Sequence, residues 1–202
     1  MRVTPQTHAA HGEALLKAAT RRFRAKGLDA VRLADVAADA GLTHGAFYGH
    51  FASKAALAER ACAEAMTRGA SRWRIRAEAA RAAGADPLHA IIEAYLTETH
   101  RDDPGHGCWL GSLGAETARA EPGLRAALAT GTAQLHAVLA EELAARHPGW
   151  PHAAASSAAT AVLAALTGGL LLARATAPSP TASAAALAAA ATLARRACDT
   201  LP

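Results

Sequence analysis

Aromatic side chains are scarce in this 202-residue chain: three Trp, two Tyr and three Phe make up 4% of it. Cysteine stops at three, which excludes a disulfide-stapled scaffold and suits a reducing compartment. Met1–Gly12 holds no apolar run, so no secretory leader is expected. Strongly apolar stretches are missing as well. Ala153–Ala173 is uncharged over 21 residues, long enough to cross a bilayer. Yet Ala, Ser, Thr and Gly dominate it, and only Val162, Leu163, Leu166 and Leu170–Leu172 are strongly apolar. The next uncharged stretch, Ala175–Ala194, is interrupted by Pro178 and Pro180. Helices buried in protein are expected here, with no contact to a membrane.

Alanine is what the chain has in quantity. Apolar residues are 51% of the total, but 60 of them are alanine, leaving about 43 larger apolar or aromatic side chains. Alanine has the best helix propensity and poor strand propensity, so an all-α fold is expected. The net charge of +4 is unevenly placed. Residues 1–60 carry nine Lys/Arg against five Asp/Glu, and the remaining 142 carry twelve of each. A basic end on a neutral body is the electrostatic footprint of one part that meets phosphate and one that does not. Solvated surface charge is the plainer alternative.

Helical periodicity organises the basic end. Leu15, Leu16, Ala19 and Phe23 predict an amphipathic helix over Thr7–Lys26, stopped by Gly27. Leu33, Val36, Ala37 and Ala40 predict a short second helix, ended by Gly41. Thr43 is positioned to cap a third, from His44 to about Phe51. Two short helices joined by a tight glycine turn form the helix-turn-helix pattern. Leu42 and Phe47 are expected to wedge between them, presenting His44, Ala46 and Tyr48 outward. Ser53 then opens a fourth helix, with Lys54 in its first turn.

Ala14–Cys62 resembles the DNA-binding domain of tetracycline-repressor-type (TetR family) regulators. The most specific stretch is DVAADAGLTHGAFYGHFASK, where Ala37, Gly41, Gly45, Tyr48, Phe51 and Lys54 keep the family spacing. The resemblance implies that Thr43, Tyr48, His50 and Lys54 contact phosphates and that His44, Gly45 and Ala46 face base edges. Helix N-termini and polar or cationic side chains hold phosphate, whereas groove-facing side chains read sequence. Phe47 and Phe51 are expected in the core. Two departures stand out. The family commonly caps its second helix with Ser or Thr; Val31 and Arg32 occupy that neighbourhood here, forfeiting roughly 1 kcal/mol. Arg32 is thereby a candidate for direct phosphate contact. Gly49 replaces a larger side chain, so operator preference does not carry over from any relative.

The resemblance divides the chain into a three-helix DNA-binding domain at 1–53 and a helical effector-binding and dimerisation domain at 54–202, about nine helices in all. In the second part, periodicity and breakers predict helices at Ser53–Ala83, Pro87–Asp102, Cys108–Ala120, Leu124–His147, Pro151–Ala175 and Thr181–Thr200. The last two are the richest in alanine. Family members dimerise through their two C-terminal helices, and Leu163, Leu166, Leu170, Leu187 and Leu193 are candidates for a core shared with a twin copy. An intramolecular core is the alternative. The family pattern also implies an effector site among the middle helices, with Trp73, Tyr95, His100, Trp109, Leu113 and His136 as candidate lining. Its apolar makeup favours a neutral or aromatic molecule. Cys108 opens a helix after PGHG, where backbone N–H groups and His106 favour a reactive thiol. GCWLGSLGAETARAEPGLRAAL resembles the region in which one TetR subgroup senses electrophiles or oxidants through a cysteine. Cys62 and Cys198 read as packing residues.

The function expected is a cytoplasmic, homodimeric transcriptional regulator that binds a palindromic operator in double-stranded DNA and responds to a small effector or electrophile. An enzyme is the contrasting class. Ten histidines invite a catalytic or metal site, but H-E-x-x-H, C-x-x-C and G-x-S-x-G are all missing. No catalytic residue, metal site or cofactor is therefore expected, and pairs such as His8 with His11 read as solvated surface. A helical scaffold that has lost DNA binding is the third reading, favoured slightly by Arg32 and Gly49.

Overall fold

A computed structural model of the chain describes residues 4–200. The ends of the two expected domains, 1–3 and 201–202, lie outside the described residues, and with them Arg2 of the basic set. The described chain forms ten α-helices and one 3-10 turn, with no strand among the described residues. In order these are α1 (Pro5–Lys26), α2 (Leu33–Asp39), α3 (His44–Phe47), α4 (Lys54–Ala82), α5 (Pro87–Tyr95), α6 (Glu98–Asp102), the 3-10 turn Pro104–His106, α7 (Trp109–Thr117), α8 (Pro122–Arg146), α9 (His152–Ala175) and α10 (Pro180–Asp199). They group into two compact units. One holds the chain up to Ala65 together with Pro104–Thr130; the other holds Met66–Asp103 and the chain from Gly131 onward.

The first unit is built by local rules. Thr4 caps α1, its hydroxyl accepting from the Thr7 N–H at 3.2 Å, and Gly27 ends the helix at a positive φ of 85°. At the end of α2, Gly41 takes a left-handed φ of 70°. Its N–H reaches the Ala38 carbonyl at 3.0 Å and that of Leu42 reaches Ala37 at 2.9 Å, the paired bonds of a Schellman turn. Arg32 stands at the start of α2 and makes no side-chain cap, in line with the missing Ser or Thr. Phe23, Val36, Phe47, Leu57, Trp109 and Leu113 form the core. Within it the Phe23 and Trp109 rings meet edge to face at 6.2 Å.

Two expectations about α3 need correction. Thr43 occupies the N-cap position, but its side chain makes no cap hydrogen bond. The helix also ends at Phe47 rather than Phe51. The N–H groups of Gly49 and His50 bond three residues back, to Ala46 at 3.2 Å and Phe47 at 2.9 Å. The segment therefore tightens into a turn, which Gly49, with its poor helix propensity, favours.

In the second unit, the single helix expected over Pro87–Asp102 is two. Thr97 is extended, and its hydroxyl accepts from the His100 N–H at 3.1 Å, starting α6. The Tyr95 carbonyl at the break accepts a hydrogen bond from His100 Nδ1 at 2.7 Å. A threonine that competes for the backbone has broken the helix where neither Gly nor Pro stands. Helices α9 and α10 pack so closely that a Cβ on Gly169 would collide with that of Ala190. Arg174 donates to the His100 and Arg101 carbonyls at 2.8 and 3.1 Å, fastening α6 to α9.

The leucines of this pair correct the expected shared core. Leu163, Leu166, Leu170 and Leu187 are buried within the chain itself. Only Leu193 of the five is exposed, at 60%, joined by Leu171 at 61% and Leu172 at 58%. Helix α9 is long and apolar enough to span a bilayer by length and composition, and half of its apolar window is buried inside the protein.

Candidate nucleic-acid interface and effector residues

Helix α3 is placed by its apolar side. Phe47 is fully buried and Leu42 half-buried, so the opposite side faces outward. His44, Gly45 and Tyr48 are exposed there and Ala46 is half-buried. The His44 and Tyr48 rings stand edge to face at 5.6 Å, and Tyr48 is 59% exposed. Nothing lies within 4 Å of a Cβ built on Gly45, so a bulkier neighbour can approach the backbone. Thr43 and Arg32 are exposed at the starts of α3 and α2.

The basic charge of this unit is partly committed to holding α2 in place. Arg22 donates to both oxygens of Asp39, at 2.7 and 2.8 Å, and Arg21 reaches one of them at 3.0 Å. The Arg22 guanidinium, reinforced by Arg21 and opposed by partial burial, holds the Asp39 carboxyl down to about 2. Arg24 donates to the Gly107 carbonyl at 2.5 Å. Lys54, half-buried at the start of α4, donates from Nζ to the Asp29 carbonyl at 3.0 Å, which leaves an ammonium two further donors.

His50 has company that the sequence reading did not give it. Its ring stacks on that of His8 at 4.1 Å, and His11 stands edge-on at 6.3 Å. Burial, followed by repulsion from His8 and His11, lowers its proton affinity below the ordinary histidine value. His8 and His11 lie three apart on α1, a spacing that puts them on one face, but nothing local indicates that His50 meets that face. Arg24 and Glu116 were missed in the same way. Glu116, near the end of α7, accepts from the Leu28 N–H at 2.7 Å, and its two oxygens sit 3.1 and 3.2 Å from where a Cβ on Gly27 would be.

The candidate effector residues fall into two sets. Trp73, Tyr95 and His100 come together in the second unit: Tyr95 meets Trp73 at 5.8 Å and His100 at 4.5 Å, both edge to face. His136 is in the same unit, its Nε2 donating to the Ser156 carbonyl at 2.9 Å. Cys108, Trp109 and Leu113 belong to the first unit. Trp109 and Leu113 are buried in its core, with the indole N–H donating to the Thr117 hydroxyl at 3.3 Å. Cys108 is the half-buried N-cap residue of α7. Cys62 and Cys198 are buried, and burial pushes both thiols up to about 12. Among the described residues no group of three His, Cys, Asp or Glu is arranged to hold a metal ion.

A helix-turn-helix with an exposed polar second helix, in a chain otherwise all helical, defines a DNA-binding transcriptional regulator. Residues 15–61 match the family model for bacterial regulatory proteins of the tetR family, and 84–192 match that for the C-terminal domain of LmrA/YxaF-like transcriptional regulators. The chain belongs to the TetR family. No curated protein sequence matches it.

Solved structures share the fold at low identity. The reduced form of Escherichia coli NemR is 20% identical with a TM-score of 0.73, covering 91% of this chain and 97% of that one. A TetR-family regulator from Cytophaga hutchinsonii is 19% identical with a TM-score of 0.75, covering 97% and 98%. Bacillus subtilis FadR, in complex with stearoyl-CoA, is 14% identical with a TM-score of 0.64, covering 90% and 96%.

Proposed function

We propose that this protein is a cytoplasmic repressor that binds a palindromic operator as a homodimer and leaves it when an effector binds or a thiol is modified. The observation that carries the reading is the outward face of α3. His44, Gly45 and Ala46 are available to base edges while Phe47 anchors the helix from behind. Tyr48, Thr43, Arg32 and the remaining Lys54 donors supply phosphate contacts on either side. Dimerisation is supported by Leu171, Leu172 and Leu193, which stay exposed on the α9–α10 pair after its own core is filled. A two-fold dimer presents two recognition helices to half-sites about one helical turn apart.

For the effector, the Trp73–Tyr95–His100 cluster suits a neutral or aromatic molecule. Thiol chemistry is the second route, favoured by a specific contrast: Cys108 is half-buried at a helix start, whereas the other two thiols are buried and held protonated. The resemblance around Cys108 and the fold shared with NemR, solved in a reduced form, support it.

Selection from a random duplex pool tests the reading. A palindromic motif is expected, bound with an affinity that falls steeply as salt rises. Tyr48→Ala should weaken binding to all sequences, Lys54→Ala should do so and also lower the salt slope by about 1, while His44→Ala should change sequence preference. A pool in which no motif is enriched overturns the function. Release by an electrophile such as N-ethylmaleimide should vanish in Cys108→Ser; release that persists there removes the thiol route.

A further inference from the structure

His8 and His11, at the start of α1, are not used by the function as stated, and their arrangement with His50, in the turn after α3, is specific. His8 is exposed, while His11 and His50 are half-buried. His50 lies in the turn that closes the recognition helix, at a position the family resemblance makes a phosphate contact. Its ring is covered by His8 at 4.1 Å and edged by His11 at 6.3 Å. Gly12 makes room for this, because a Cβ there would stand 3.3 Å from His50 Nδ1.

The surroundings set the protonation state. The charged groups that act on His50 are both histidines, and both oppose its protonation. Burial acts in the same direction. Just beyond the turn, Lys54 has its ammonium drawn to the Asp29 carbonyl, and Tyr48 and His44 complete the titratable groups of the recognition segment. The first turn of α1 holds no acidic residue, and the helix N-terminus adds partial positive charge to the same end. Among the described residues no acid acts on His50: Glu13, the acid of α1, is exposed and takes no part in its shift, so nothing described here compensates a proton on the stack. A phosphate does: it supplies the missing negative charge and accepts hydrogen bonds from imidazolium N–H groups.

We propose that His8, His11 and His50 form one phosphate grip for the DNA backbone, assembled from α1 and the turn after α3, which takes up a proton as DNA binds. The inference rests on the reading of this unit as the DNA-binding part and adds two contact residues and a pH dependence to it. The sign follows from linkage. If the bound state holds more protons than the free state, acidification favours binding. Repulsion between rings about 4 Å apart limits the uptake to roughly one proton. A phosphate that raises the proton affinity of the stack by one pKa unit gives at most about a tenfold gain in affinity for each protomer's grip.

Dissociation constants for the selected operator and for an unrelated duplex, measured from pH 8 to pH 6 at fixed ionic strength, test this. Both duplexes are expected to bind more tightly at pH 6, by about three- to tenfold per bound protomer, because a backbone contact is blind to sequence. His50→Gln and the double variant His8→Gln/His11→Gln should flatten the dependence, while His44→Gln should keep it. Proton NMR titration of the unmodified protein guards against a folding defect in a variant. One or more of the three imidazoles should titrate at higher pH when duplex is bound. Affinity independent of pH, a dependence unchanged in the Gln variants, or imidazole titrations that DNA leaves in place would overturn the grip. Failure to retain duplex at any pH would overturn the functional reading with it.

Discussion

Individual residues in the DNA-binding unit do mechanical work before they meet DNA. Asp39 receives three arginine hydrogen bonds and ties the end of α2 to α1. Its carboxyl is held at about 2, well below the ordinary carboxylate range. A depressed carboxylate stabilises the fold at pH above its unfolded value, and that stabilisation is lost as pH falls through the folded one. The stabilisation from Asp39 is therefore complete above about pH 4 and gone below about pH 2. Asp39→Asn should lower stability at pH 7 and remove part of the loss between pH 4 and pH 2. Urea unfolding followed across that range checks it; equal pH profiles for the two proteins would show that the ion pair contributes nothing. Arg21 and Arg22 were legible as positive charge, but their partner lies 18 and 17 residues away, and charge counting does not reveal which arginines are already spent.

Helices were legible where their punctuation is local. Gly27, Gly41 and Gly84 all take positive φ and end α1, α2 and α4 where the sequence places the stops. The break after Tyr95 was not legible, because Thr97 acts through its hydroxyl and leaves no composition signal. Least legible was the partner of α1. Its C-terminal end is fastened twice to the segment around Cys108, by Arg24 on Gly107 and by Glu116 on the Leu28 N–H, contacts separated by 83 and 88 residues. Glu116→Ala leaves the Leu28 N–H without this acceptor, at a cost of about 1–3 kcal/mol if the group stays dry. Faster hydrogen exchange at the Leu28 amide and a lower urea midpoint are the expected signs. Both bonds fasten α1 to the segment that carries Cys108, within the same unit as the recognition helix. Exchange at Leu28 that is the same in both proteins would show that Glu116 does not protect this amide.

At the scale of the whole molecule, the proposed dimer has few large apolar residues to draw on. The leucines that periodicity picked out on α9 and α10 are mostly spent inside the chain, since a helix with apolar residues on several sides does not declare which one faces outward. What remains is Leu171, Leu172 and Leu193, exposed among alanines that allow close approach of helix axes. Replacing Leu171 and Leu193 together by Asp puts charge on that surface while leaving the buried leucines untouched. The double variant should sediment as a monomer with its helical circular dichroism preserved. Its operator affinity should fall about 100-fold or more, because the second recognition helix no longer binds at the high effective concentration that a dimer provides. Binding to a single half-site should stay close to that of the unmodified protein, which separates lost dimerisation from a damaged recognition helix. A variant that still sediments as a dimer would place the interface on another surface.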